Sequence, residues 1–386
     1  MSLKKVLFII VLAQFCCTSL WFAGNAIMAD LISNFNLTEN NIGHLSSAVQ
    51  FGFITGTLLF AIFNIADRFS PSKIFFICAI IGAAANLLIL IPSNTLYSLL
   101  SIRFITGFFL AGIYPVGMKI ATDYFEKGLG SSLSFLVGAL VLGTAFPHIL
   151  KGNPSFFNWK WVIYITSLLA SLGGSLLFFL VPNGPFRKAS TGLKPTAIFT
   201  IFKNRPFKKA AFGYFGHMWE LYAFWTFTPL LFKTYKEMHP SVTYNIASLS
   251  FYTIAIGSIS CIIAGYLAKK RGTKKIATLT LVASCFCCIS SPLFFINTNE
   301  TLFIFFILCW GSVVIADSPL FSTLVAKNAT PEIKGTALTI VNCIGFAITI
   351  VSILLVNQLL HSIPTNYIFT LLAIGPVIGL MNLYRK

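Results

Sequence analysis

The chain has 386 residues, of which 56% are hydrophobic and only 10% are charged. Soluble globular domains carry roughly 25% charged residues, so this composition excludes an ordinary soluble protein. The formal net charge of +17 is compatible with either a nucleic acid or a membrane surface as partner, and the position of the charges along the chain decides between them.

Apolar segments follow one another along nearly the whole chain. A helix needs roughly 20 mostly apolar residues to cross a bilayer, and twelve segments meet this requirement. In chain order they are segments 1 to 12, at residues 6–31, 42–66, 74–92, 97–124, 129–150, 159–182, 209–232, 242–268, 276–296, 301–326, 335–360 and 366–384. Lipid offers the backbone no hydrogen-bond partners, so spanning segments of this length are expected to be helices. The sequence predicts an all-α membrane protein with twelve transmembrane helices.

The basic residues lie mainly in alternate loops. Of the 27 Lys and Arg residues, 21 lie at the termini or in loops that follow even-numbered segments, and only four lie in the other loops. Because cytoplasmic loops hold the Lys and Arg excess of membrane proteins, we expect both termini and the middle loop to be cytoplasmic. The net charge is therefore interpreted as a topology signal and a contact with anionic lipid, and not as a nucleic-acid site. The short loops favour a bacterial inner membrane.

The longest polar stretch divides the chain into halves. It lies at 182–209 and predicts an N-terminal six-helix bundle at 1–182, a cytoplasmic linker at 183–208 and a C-terminal six-helix bundle at 209–386. Within this linker region the sequence "PTAIFTIF" predicts a short amphipathic surface helix.

The two halves are related in sequence. Pro115 in segment 4 matches Pro319 in segment 10, 204 residues later. The junction after segment 2 reads "NIADRFSPSK" (64–73), and the junction after segment 8 reads "GYLAKKRGTK" (265–274). Parallel six-helix halves are typical of secondary transporters, whose substrate sites lie halfway through the membrane between the halves.

Both junctions resemble the G-x-L-A-D-R-x-G-R-K motif of the major facilitator superfamily, and the chain resembles that family over essentially its whole length. The matching residues that the resemblance implies for gating are Asp67, Arg68 and Lys73 in the first half and Gly265 and Gly272 in the second. By family analogy, the first junction docks on the opposite half and holds the outward-open state. The alternative is a loop turn with anchoring charges. Lys269 replaces the motif's Asp in the second copy.

Ionisable residues are rare inside the apolar segments and therefore mark candidate sites, because a charge in the bilayer centre costs at least about 2.5–3.5 kcal/mol. Arg103 and Lys119 lie in segment 4, His217 and Glu220 in segment 7, and Asp317 in segment 10. In the resembled family, segments 1, 4, 7 and 10 line the central cavity.

His217 and Glu220 belong to one stripe of segment 7 and are three residues apart, a spacing at which helix side chains meet. We expect this pair to exchange a proton near neutral pH, with Phe224 on the same stripe and Trp219 beside it as aromatic walls. The alternative is a pair that only braces the helix. Asp317 is predicted to bind a proton or the substrate, with Trp310 on the same face, or else to bond a neighbouring helix.

Segment 4 offers two cations for a substrate. Arg103 shares a face with Tyr114 and is the better candidate for the cavity, unless it extends to the outer surface. Lys119 is the second candidate, although its spacing from Asp123 also predicts an ion pair within the helix.

Segment 1 contributes an aromatic ring and an amide on one face. Trp21 and Asn25 are four residues apart, so both can serve a substrate. Small residues in the same stretch favour the alternative of close helix packing.

These features indicate a transporter and exclude several other functions. The sequence has neither a G-x-x-x-x-G-K-[ST] loop nor a Ser/His/Asp arrangement, so neither an ATP-driven machine nor an enzyme is indicated. We expect no cofactor or metal, and a monomer. The first hypothesis is a proton-coupled symporter of a small organic anion or polar metabolite, working by alternating access. The alternative is a proton-coupled exporter of drugs or metabolites.

Overall fold

The computed structural model describes residues 2–125, 129–153, 158–187, 201–330, 333–360 and 362–385, with the backbone alone for 129–131. Over these residues the chain is helical and has no β-strand, so the predicted all-α class is confirmed. Contacts define two compact units, Met1–Pro195 and Thr196–Lys386. Most of the surface helix predicted in "PTAIFTIF" lies outside the described residues.

Each predicted segment corresponds to one helix or to a few consecutive helices. In the first unit the α-helices are Leu3–Thr18, Ala23–Ala26 and Met28–Asn34 (segment 1), Asn41–Ile62 (segment 2), Ile65–Arg68 (the junction), Pro71–Leu87 (segment 3), Leu96–Leu110 and Tyr114–Tyr124 (segment 4), Leu129–Lys151 (segment 5) and Trp159–Leu180 (segment 6). In the second unit they are Arg205–Met238 (segment 7), Ile246–Arg271 (segment 8), Thr273–Ile296 (segment 9), Glu300–Ala316 and Ser318–Asn328 (segment 10), Lys334–Leu359 (segment 11), and Thr365–Ile368 and Ile374–Tyr384 (segment 12). Short 3₁₀ turns at Leu88–Leu90 and Phe369–Ala373 complete segments 3 and 12.

Ten of the described spans are long and apolar enough to cross a bilayer. The remaining two are segment 1, which is divided into helices of 16 residues or fewer, and segment 7, which is 34 residues long. Segment 7 carries basic residues near both ends and Glu220 near its middle. The two segments that do not meet this requirement therefore supply several of the candidate site residues.

Asparagine side chains begin three of the helices in the second unit. Asn204, Asn245 and Asn299 accept hydrogen bonds from backbone N–H groups in the first turns of segments 7, 8 and 10, at 3.2, 3.0 and 3.1 Å. The first N–H groups of a helix have no partner within it, so a polar cap satisfies part of this need. These caps determine where the spanning helices start.

Segments 4 and 10 are interrupted at equivalent places. Segment 4 stops at Leu110 and resumes at Tyr114, and segment 10 stops at Ala316 and resumes at Ser318. A proline is the second residue after each break, and proline lacks the N–H that would continue the ladder of hydrogen bonds. The proline match noted in the sequence thus corresponds to matching breaks in the structure.

A close helix contact is repeated in the two units. A Cβ atom on Gly107 of segment 4 would lie 2.0 Å from the carbonyl oxygen of Val49 in segment 2. In the second unit, a Cβ on Gly311 of segment 10 would lie 2.1 Å from the carbonyl oxygen of Thr253 in segment 8. Both residues of the second contact lie 204 positions after their counterparts, as the prolines do. Only glycine allows the backbones to approach this closely.

Candidate functional site

Glu220 lies on segment 7 with its carboxyl group out of contact with solvent. The residue is 1% exposed, and its Oε1 accepts hydrogen bonds from Ser284 Oγ at 2.5 Å and from Trp310 Nε1 at 2.7 Å. Ser284 belongs to segment 9 and Trp310 to segment 10, so the carboxyl group joins three helices. Two donors on one oxygen stabilise a buried carboxyl group that would otherwise be costly to place there.

His217 lies one turn before Glu220 but pairs with a different segment. Its Nδ1 is 2.8 Å from Oδ1 of Asp317, and both residues are 1% exposed. The predicted pairing of His217 with Glu220 is therefore wrong in this structure. The i,i+3 spacing brings two side chains to one face of a helix, but each then bonds the nearest partner that a packed neighbour provides.

Asp317 occupies the break in segment 10. The carbonyl oxygen of Ile315, which has lost its usual donor at Pro319, accepts a weak hydrogen bond from Cys261 Sγ at 3.5 Å. Among the described residues, Asp317 Oδ2 and His217 Nε2 have no hydrogen-bond partner. The break thus presents a carboxylate–imidazole pair with unused capacity on both members.

Aromatic rings pack beside this cluster. Phe224 and Trp310 are fully buried, with ring centroids 4.7 Å apart. Trp219, which the sequence also predicted as a wall, is half-buried, and its Nε1 donates to the carbonyl oxygen of Leu371 at 3.1 Å. The structure therefore brings Trp310 to Glu220 and packs Phe224 on the Trp310 ring, whereas Trp219 joins segment 7 to segment 12.

In the first unit, Arg103 donates hydrogen bonds to the main chain where segment 1 is interrupted. The residue is 2% exposed; its Nη1 donates to the carbonyl oxygen of Leu20 at 3.2 Å, and its Nη2 donates to that of Trp21. These carbonyls follow the helix end at Thr18, where the last C=O groups lack helical partners and a cation is favourable. Arg103 does not extend to the outer surface.

The other candidates of segment 1 have partners within the same unit. The indole ring of Trp21 packs against Phe53, with centroids 4.8 Å apart. Asn25 Nδ2 donates to Ser46 Oγ at 2.7 Å. Tyr114 is half-buried at the start of the second helix of segment 4. The contacts of Trp21 and Asn25 connect segments 1 and 2 near the break in segment 1.

Lys119 belongs to a group of charges near the junction of segments 2 and 3. Its Nζ is 2.7 Å from Oδ1 of Asp67 and 3.9 Å from Oδ1 of Asp123. The pair within segment 4 is thus the longer contact, and the gating candidate Asp67 is the closer partner. Arg187 Nη2 donates to the carbonyl oxygens of Asp67 and Phe69, each at 2.8 Å.

Three of the four remaining gating candidates, Arg68, Lys73 and Gly272, lie at or near helix ends. Arg68 and Lys73 are exposed. Gly265 is half-buried within segment 8, whereas Gly272 ends that segment with φ +92° and ψ 135°. A positive φ of this kind favours glycine. Docking of the first junction on the opposite half stays a prediction.

Several partners of the candidate residues were not predicted. Ser284, Ser46 and Arg187 each bond a residue that the sequence singled out. Serine is common in membrane helices, where it can bond its own backbone, so its presence alone carries little information. The relevant signal was the buried carboxyl group, which requires donors without indicating which segment supplies them.

The sequence profile of the Major Facilitator Superfamily matches residues 10–381. The chain belongs to this family. The predicted family is confirmed, and membership in it indicates a multi-pass membrane transporter rather than an enzyme.

Two relatives are similar to parts of the chain. It is 26% identical to the bicyclomycin resistance protein homolog of Haemophilus influenzae over 160 residues. This alignment covers 40% of this chain and 38% of that protein. It is 27% identical over 159 residues to the D-galactonate transporter of Escherichia coli O6:H1, covering 41% and 36%. Each match spans less than two fifths of the relative's own length.

Solved structures are similar over the whole chain. The nucleoside transporter NupG has a TM-score of 0.74 and 16% identity, with full coverage of both chains. A bacterial homolog of the human lysosomal transporter Spinster, in an inward-facing and occupied conformation, has a TM-score of 0.71 and 13% identity, with 99% and 96% coverage. At these identities the likeness concerns the fold alone.

Proposed function

We propose that the chain moves a small organic solute across the membrane by alternating access, coupled to protons carried by Glu220, His217 and Asp317. The observation that carries this proposal is a set of three ionisable side chains, each 1% exposed, on segments 7 and 10. Intramembrane ionisable groups are costly, and they mark ion and substrate pathways by default.

The contacts of this cluster support a proton-carrying role. His217 and Asp317 form a pair that can bind one proton more or less without either group losing its partner. Glu220 accepts hydrogen bonds from the neutral groups of Ser284, Trp310 and Cys288, so it has no fixed counter-charge among its hydrogen-bond partners. A carboxyl group without a permanent cation can be neutral when buried and ionised when water reaches it. Access that changes sides would then couple proton movement to solute movement.

For the substrate, we propose first a small organic anion or polar metabolite taken up by symport. Similarity to a D-galactonate transporter supports a carboxylated solute. Arg103 and Lys119 remain the proposed cations for it, although Arg103 bonds main-chain carbonyl oxygens and Lys119 pairs with Asp67 in this conformation. Binding of an anion would therefore compete with these internal contacts.

The alternative is proton-coupled export of drugs or metabolites. It is favoured by the similarity to a bicyclomycin resistance protein homolog and by the engagement of both candidate cations inside the first unit. An exporter does not require an unpaired cation for its substrate. The direction of solute movement relative to an imposed proton gradient distinguishes the two proposals.

The test begins with a thermal-shift screen of the purified protein against small carboxylates, sugars, amino acids and cationic dyes. A solute that raises the melting temperature is then followed in proteoliposomes, with and without a pH gradient. We expect Glu220→Gln and Asp317→Asn to abolish gradient-driven accumulation, because an amide cannot release a proton. Exchange of solute without a gradient should continue in Glu220→Gln, whose amide oxygen still accepts from Ser284 and Trp310.

Glu237→Gln is the matched control, because Glu237 lies on the same helix with a side chain that is 64% exposed. It should leave accumulation unchanged. Proton coupling by the cluster would be contradicted if Glu220→Gln and Asp317→Asn both accumulated solute against its gradient as the unmodified protein does. Accumulation of solute when the lumen is alkaline relative to the medium indicates symport, and accumulation when the lumen is acidic relative to the medium indicates antiport.

A further inference from the structure

A pocket of about 420 Å³ lies at one end of the second unit, among residues that do not belong to the buried carboxyl cluster. Three of its lining residues are cationic, namely Arg205, Lys209 and Lys274. None of the residues that line it is acidic. Its walls therefore carry a positive charge that is not balanced within the pocket.

The pocket lies where four helix ends come together. Arg205 begins segment 7 and Lys274 is the second residue of segment 9, whereas Asn328 ends segment 10 and Leu383 precedes the last residue of segment 12. Two helices present N-termini and two present C-terminal ends, so their dipoles oppose one another. The three cationic side chains consequently determine the sign of the potential in the pocket.

The same pocket has an apolar portion. Ala210, Leu324 and Leu383 line it together with the cations. A small inorganic anion would use only the basic part, whereas a molecule with a charged head and an apolar body would use both. The pocket also lies on the side of the second unit that carries the "AKKRGTKK" run (268–275), which the distribution of basic residues predicts to be cytoplasmic. Anionic lipids of the cytoplasmic leaflet attract basic residues of membrane proteins.

We propose that this pocket binds the phosphate-containing headgroup of an anionic membrane lipid. Arg205, Lys209 and Lys274 contact the phosphate group, and the apolar residues contact the beginning of the lipid's acyl region. The pocket lining includes none of the residues proposed for proton or solute binding, and the proposal holds whether the transporter is a symporter or an exporter.

The neighbouring residues provide a matched control. Lys208 and Lys275 are exposed, lie directly beside Lys209 and Lys274 in the same two helices, and do not line the pocket. The double variants Lys209→Gln/Lys274→Gln and Lys208→Gln/Lys275→Gln therefore lose the same charge from the same helices. They differ in whether the missing charge lined the pocket.

The experiment measures binding of dioleoylphosphatidylglycerol to the full-length protein in neutral detergent, by native mass spectrometry and by the rise in melting temperature. Zwitterionic dioleoylphosphatidylcholine and inorganic phosphate are the comparison ligands. We expect saturable binding of phosphatidylglycerol to the unmodified protein and to Lys208→Gln/Lys275→Gln. In Lys209→Gln/Lys274→Gln the affinity should fall roughly 30-fold, since each Lys near an anionic lipid is worth about 1 kcal/mol.

Equal losses of affinity in the two double variants would overturn the proposal, because they would indicate attraction to surface charge in general. Saturable binding of inorganic phosphate with no preference for phosphatidylglycerol would also overturn it, by assigning the pocket to a free anion. If Lys209→Gln/Lys274→Gln does not fold, the single variants Lys274→Gln and Lys275→Gln make the same comparison at two exposed positions.

Discussion

Arg103 illustrates how a buried charge obtains its partners in this protein. The guanidinium group donates to two main-chain carbonyl oxygens at the end of the first helix, and Gly24 packs against it, since a Cβ there would lie 3.1 Å from Arg103 Nε. A planar group with several donors suits two carbonyls at once, which an ammonium group does not. The contact supplies hydrogen-bond donors to the carbonyl oxygens that have no helical partner at the break in segment 1.

We predict that Arg103→Ala destabilises the protein by about 2–4 kcal/mol, because it leaves two buried carbonyl oxygens without their charged donor. Arg103→Lys should recover part of this loss. The measurement is the melting temperature in detergent, with the exposed Arg68→Ala as the control, which should melt as the unmodified protein does. If Arg103 instead bound only a substrate, Arg103→Ala would melt normally and lose the stabilisation by solute.

The buried carboxyl groups follow the same rule at the residue scale. Glu220 takes its donors from segments 9 and 10, and Asp317 takes its partner from segment 7. The sequence predicted that these residues are exceptional, because an ionisable group in an apolar helix requires compensation. It did not predict Ser284 as a donor, since nothing local distinguishes this serine from the others in segment 9.

At the scale of the helices, glycine and proline determine where segments stop and how closely they pack. The breaks at Pro115 and Pro319 and the contacts of Gly107 and Gly311 recur after the same interval of 204 residues. Each follows from backbone chemistry: proline removes a donor, and glycine removes a side chain. The proline breaks can be predicted from sequence because they do not depend on distant residues, whereas each glycine contact also requires a neighbouring helix packed against it.

Two exposed glycines test the role of backbone conformation at a helix end. Gly272 has φ +92°, and neither Gly272 nor Gly335 has another atom within 4 Å of an added Cβ. We expect Gly272→Ala to lower the free energy of unfolding by about 1–3 kcal/mol, because an L side chain is strained at this φ. Gly335→Ala should instead stabilise its helix by about 0.5–1 kcal/mol.

Chemical or thermal unfolding of the two variants gives the comparison. If both changed stability in the same direction and by the same amount, the left-handed backbone at Gly272 would not be the cause. Open space around both positions excludes a clash as the explanation of any difference.

At the scale of the whole molecule, the distribution of basic residues predicts which ends of the helices face the cytoplasm. Arg271 is the last residue of segment 8 and lies just before segment 9, within a basic run of residues, whereas Thr298 lies in the loop that follows segment 9. The two exposed positions therefore lie at opposite ends of segment 9. Eight of the nine native cysteines are buried and the ninth is half-buried, which keeps background labelling low.

We predict that Arg271→Cys reacts with a membrane-impermeant maleimide only in inverted vesicles and Thr298→Cys only in right-side-out vesicles. The unmodified protein measures the background. Reaction of both cysteines from one side would mean that segment 9 does not cross the membrane, and reversed accessibility would mean that the positive charge has been assigned to the wrong side.

The sequence by itself determined the helical class, the number and order of segments, the relation between the halves and the family. These properties depend on composition, on the length of apolar runs and on local motifs, all of which are fixed along the chain. It also marked Glu220, His217 and Asp317 as exceptional, because a charge in an apolar segment is conspicuous wherever it points.

Only the tertiary structure decided which side chains meet. Each residue turns the helix by about 100°, so a modest error in where a helix faces exchanges one neighbour for another. His217 consequently pairs with Asp317 instead of Glu220, and Lys119 is closer to Asp67 than to Asp123. These pairings depend on how separate helices pack, which no local pattern of residues specifies.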